Sequence, residues 1–76
     1  MTRKLPEHER AKQWRQAIGL TIGQLAERTG FDPGSIADIE AGRQRKNGAP
    51  ISPTVMRRYR MACAAVDAGA EAFDWG

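Results

Sequence analysis

The chain has 76 residues, 12 of them Lys or Arg and 9 Asp or Glu, for a formal net charge of +3. That length holds one small domain with a single core, and the lone cysteine rules out an internal disulfide. One histidine with no second soft ligand excludes the usual metal-site spacings, and no apolar run approaches the roughly 20 residues of a membrane-spanning helix. The N-terminus lacks the apolar region of a signal peptide, so a cytoplasmic protein without metal or cofactor is expected. Cys63 then reads as a small buried hydrophobe and His8 as a solvated helix residue.

The first helix is predicted over 6–18. Pro6 suits an opening turn, Glu7 and Glu9 sit near the positive end of the helix dipole, and Ala11, Trp14 and Ile18 recur at three and four residues as an inward stripe. Gly19 ends it and Leu20 turns inward. Thr21 and Gln24 have the spacing of a capping box and open a second helix over 22–29. Gly30 follows Ala26 by four: a small residue at 26 lets two helices approach, and glycine at 30 can take the positive φ of a sharp turn. Phe31 anchors that turn. Asp32 as N-cap and Pro33 as first residue open a third helix over 33–41, with Ile36 and Ile39 inward.

Residues 42–51, rich in Gly, Pro and polar side chains, read as a surface loop. Ser52 and Pro53 restart helicity, and Val55, Tyr59, Ala62 and Val66 trace one face of a helix over 53–68, with Met56 and Cys63 beside it. Gly69 breaks it, and 70–75 can make one more short turn, whose Phe73 and Trp75 need cover. The expected fold is all-α, a compact bundle of four to five helices forming a single domain over 1–76.

Charge is distributed unevenly. Residues 43–60 carry six basic and no acidic side chains, whereas 21–42 carry one basic and four acidic. Arg43, Arg45 and Lys46 follow the third helix directly, with Arg57, Arg58 and Arg60 close behind, and such clustering suits a polyanion. The inward face set by Val55 and Tyr59 leaves Arg57, Arg58 and Arg60 largely solvated, either as phosphate contacts or as plain surface charge. Asp38 and Glu40, two residues apart, point to different sides of a helix and are joined by no nucleophile array, so an enzyme is not expected.

Arg15, Gly19, Leu20, Thr21, Leu25, Ala26, Gly30, Ile36, Ile39, Glu40 and Gly42 fall in one frame that resembles the Cro/C1-type (Xre) helix-turn-helix family of bacterial and phage regulators. The likeness covers roughly residues 10–68 and implies a lambda-repressor-like DNA-binding domain. It further implies an internal ion pair between Arg15 and Glu40. Base edges would be read from the first turns of the third helix, at Pro33, Gly34, Ser35, Ala37 and Asp38. Phosphates would be met at the starts of the second and third helices, at Thr21, Ile22, Gln24 and Gly34, and by the loop.

This is a thin reading set, since only Ser35 and Asp38 have polar side chains, and Asp38 could accept from cytosine N4. Specificity can instead move to Arg43, Gln44 and Arg45, because Arg suits guanine and Gln adenine, with Lys46 and Asn47 on phosphates beside Arg57 and Arg58. Two functions remain open. One is a dimeric, nucleoid-associated regulator of double-stranded DNA, a repressor of phage, mobile-element or operon type, paired through Phe73 and Trp75 unless these merely cover the last helix. The other is a protein-interaction adaptor, such as an antitoxin or antiactivator, that uses a protein partner in place of DNA.

Overall fold

The computed structural model describes residues 5–70, which form four helices: α1 (Glu7–Ala17), α2 (Ile22–Thr29), α3 (Pro33–Ala41) and α4 (Pro53–Asp67), with no strand among the described residues. The starts of α2, α3 and α4 are written by local caps. Thr21 Oγ1 accepts from the Gln24 amide at 3.1 Å while Gln24 Oε1 accepts from the Thr21 amide at 2.9 Å, a reciprocal capping box. Asp32 caps α3 through the Gly34 amide at 2.8 Å, and Ser52 caps α4 through the Val55 amide at 3.1 Å. Proline follows both caps, where a missing N–H costs no helical bond.

The bend between α2 and α3 is closed by Gly30, whose φ of +76° lies in the left-handed region and whose amide returns to the Ala26 carbonyl. Ala26 is buried directly beneath that bend. One inward assignment fails. Ile18 is 39% exposed, because α1 stops at Ala17 and the left-handed Gly19 redirects the chain, so that Leu20 takes the core-facing place. Pro6 likewise precedes α1 as its cap residue.

Leu25, Ala26, Ile36, Ile39 and Tyr59 make the buried core, and Trp14, Phe31 and Val55 pack around it. α3 lies against α1 and α2, and α4 closes over α2. Tyr59 meets Phe31 edge-on at a centroid distance of 5.3 Å and 80° between planes, a favoured aromatic geometry. Among the described residues its buried hydroxyl meets no hydrogen-bond partner of normal geometry, and burial pushes its pKa up. Cys63 beside it is half-buried, and burial raises its thiol also.

The periphery is tied across long sequence separations. Trp14 Nε1 donates to Asp67 Oδ1 at 2.9 Å, joining α1 to the end of α4, and Arg60 of α4 pairs with Glu7 of α1. His8 departs from its reading as a solvated residue. It is half-buried against Gly42, where a Cβ would stand 2.9 Å from its Nδ1. Among the described residues no helix is long and apolar enough to cross a membrane. Phe73 and Trp75, with nearly all of the 70–75 turn, lie outside the described residues.

Candidate nucleic-acid interface

α3 is held from behind and open in front. Ile36, Ile39 and Glu40 are buried, while Asp32, Pro33 and Ser35 are exposed and Ala37 and Asp38 half-buried on the outer side. Behind the helix, Arg15 Nε donates to Glu40 Oε2 at 2.7 Å and Nη2 to Oε1 at 2.9 Å, a two-point contact within the interior. Arg15 Nη1 also donates to the Leu20 carbonyl at 2.9 Å. The charged pair therefore binds α3 to α1 and to the turn before α2. Contact with the Glu40 carboxylate raises the Arg15 pKa, so the guanidinium stays charged through the ordinary pH range.

The outer side of α3 is met by the following loop. Its mouth is closed by the Gln44 amide on the Ala49 carbonyl and the Gly48 amide on the Gln44 carbonyl, both at 2.7 Å. Asn47 Oδ1 takes the Ala49 amide at 2.9 Å and locks the tip. Arg45 leaves this turn and lies back on α3: its Nε donates to Asp38 Oδ1 at 2.6 Å and its backbone amide to the same oxygen at 3.3 Å. The guanidinium holds the Asp38 carboxyl below the usual carboxylate range.

The residues singled out in the sequence thus separate by occupation. Asp38 and Arg45 are engaged with each other, and Gln44 is half-buried with its side-chain amide on the Pro50 carbonyl at 3.4 Å. The Gly34 amide is satisfied by the Asp32 carboxylate, so the start of α3 already carries a negative group where a phosphate amide was expected. At α2 the Thr21 side chain and amide are consumed by the capping box, but Gln24 is exposed with only its Oε1 committed to that box, and the first-turn amide of Ile22 has no acceptor within the helix. Ser35 is exposed and enters no side-chain hydrogen bond among the described residues.

Arg43, Lys46, Arg57 and Arg58 are exposed, and no described carboxylate forms an ion pair with them. Arg58 stands 5.7 Å over the Phe31 ring, which brings its charge beside the bend that precedes α3. Arg60 is withdrawn from the basic cluster by Glu7, and that pairing lowers the Glu7 pKa. No sequence rule pointed to it, because Glu7 and Arg60 are 53 positions apart. The Asp38–Arg45 contact also escaped sequence reasoning, since the chain leaves helical geometry between them at Gly42.

Two short helices set across a left-handed glycine bend, the second buried on one side and open beside a basic loop, define a helix-turn-helix DNA-binding domain. Residues 9–73 match the family model described as "Helix-turn-helix domain", and the chain belongs to that family. The match accords with the likeness to Cro/C1-type proteins and supports DNA binding in a regulator. No curated protein and no solved structure matches the chain.

Proposed function

We propose that the protein is a sequence-specific regulator of double-stranded DNA, a small repressor of phage, mobile-element or operon type that acts as a dimer. The observation that carries this reading is the open face of α3, lined by short side chains and flanked by a closed loop bearing Arg43, Arg45 and Lys46. A helix so furnished can enter a major groove closely, since its own outward side chains are short. In this reading Ser35 and Arg45 reach base edges. Arg43, Lys46, Asn47, Arg57 and Arg58 meet phosphates, together with the Ile22 amide and Gln24 at the start of α2. Phe73 and Trp75 supply the dimer seam.

Selection of duplexes from random DNA by the full chain, read by sequencing, tests the reading. The expected product is a two-fold motif whose half-sites lie about one helical turn apart. Recovery of unenriched DNA overturns sequence-specific binding, and a monomeric sedimentation profile on the selected duplex overturns the dimer.

A further inference from the structure

Arg45 has a geometry unlike that of the other loop cations. Its Nε edge faces α3, donating to Asp38 Oδ1, and Nη2 approaches the Gly34 carbonyl at 3.5 Å, so the guanidinium lies along one turn of the helix surface. Asp38 is anchored on α3 and its side chain is 26% exposed, while that of Arg45 is 58% exposed. A guanidinium has five N–H donors in a planar fork. With the Nε side committed to Asp38 and Gly34, the end-on pair from Nη1 and Nη2 is left for a second planar acceptor. The residues beneath are small: a Cβ built at Gly34 would already stand 3.9 Å from Nη2.

We propose that Arg45 is the guanine-reading residue of the interface and that Asp38 is its positioning residue. The inference rests on the DNA-binding reading above. End-on Nη1 and Nη2 match the spacing of guanine O6 and N7 in the major groove, an acceptor pair that no other base presents there. Asp38 fixes the fork before DNA arrives, which reduces the ordering cost of a long side chain on binding. It also neutralises part of its own repulsion from phosphates, because its charge is shared with the arginine it holds. The short side chains of α3 follow from this arrangement: the loop supplies the long reader, and the helix supplies the platform.

The test repeats duplex selection and salt titration with wild type, Arg45→Lys, Arg45→Ala and Asp38→Asn, each checked for an unchanged circular dichroism spectrum. Arg45→Lys keeps the charge but loses the fork. The expected result is a wild-type motif with one strongly required guanine per half-site. In Arg45→Lys that preference falls by roughly 5- to 150-fold, the value of a bidentate base contact, with the slope of log affinity against log salt unchanged. Asp38→Asn should weaken the same guanine preference and leave the other positions alone. If Arg45→Lys selects the wild-type motif, or if Arg45→Ala lowers affinity equally for all sequences and reduces the salt slope by about 0.9, Arg45 is a phosphate contact and the inference is overturned while the DNA-binding reading stands. Failure of wild type to enrich any motif overturns both.

Discussion

Asp38 and Glu40 sit two positions apart on α3 and lead opposite lives. Glu40 is turned inward onto Arg15 through two short bonds, and its partner is also tied to the Leu20 carbonyl. Desolvation offsets most of the attraction in such a pair, so its effect is orientation of α3 more than net stability. Removing one member is different, because it strands the other charge. Glu40→Ala is expected to cost about 3 kcal/mol in chemical denaturation, and a loss under about 1 kcal/mol would contradict a buried, stranded Arg15. Asp38 is a surface group whose carboxyl is held low by Arg45. With the folded value depressed, its contribution is complete above the ordinary carboxyl range and fades as pH falls through the folded value. An NMR titration should find the Asp38 carboxyl below the usual aspartate value, returning toward it in Arg45→Ala. An identical titration in both proteins would contradict the pairing in solution.

At the scale of elements, the caps and bends were legible in the sequence because they rest on contacts within about four residues. The Thr21–Gln24 box, the Asp32 and Ser52 caps and the Gly30 bend all follow from local spacing. Glycines at two bends separate local from tertiary causes. Gly30 has φ +76° and no heavy atom near a built Cβ, so Gly30→Ala meets only the backbone penalty, about 1 kcal/mol. Gly42 has φ +79°, and the His8 ring blocks its Cβ. Thermal or chemical denaturation should therefore rank Gly42→Ala as the more costly, with His8→Ala relieving part of the excess. Equal costs at the two bends would show that His8 yields freely. The end of α1 was less legible: Ile18 continues the apolar spacing, yet the helix stops one residue before it. Gly19 marked the turn, but a periodic pattern cannot report that Ile18, just before it, has already left the inward face.

For the molecule as a whole, the surface charge decides how it meets a polyanion. Four of the six basic residues of 43–60 have no ion-pair partner among the described residues, whereas Arg45 and Arg60 are held by Asp38 and Glu7. DNA affinity should fall steeply with salt, by a log–log slope of about −0.9 for each phosphate neutralised. Replacing Arg43 and Lys46 together by Ala should flatten the slope by about 1.8, two such contacts, and the further change Arg45→Ala should act on base preference more than on slope. A slope unaltered by the double replacement would put the DNA surface elsewhere on the molecule.

Four helices, the caps of α2, α3 and α4, the glycine bend and the concentration of basic charge after α3 could be read from the chain directly, since each depends on propensity, short-range hydrogen bonds or composition. Which charges remain available was settled only by how the helices come together. Arg45 returns to Asp38, Arg60 crosses to Glu7, Trp14 reaches Asp67 and His8 settles on Gly42. Those pairings depend on where helices separated by long stretches of chain come to rest, and that is set by burial of Leu25, Ile36, Ile39 and Tyr59 in one shared core.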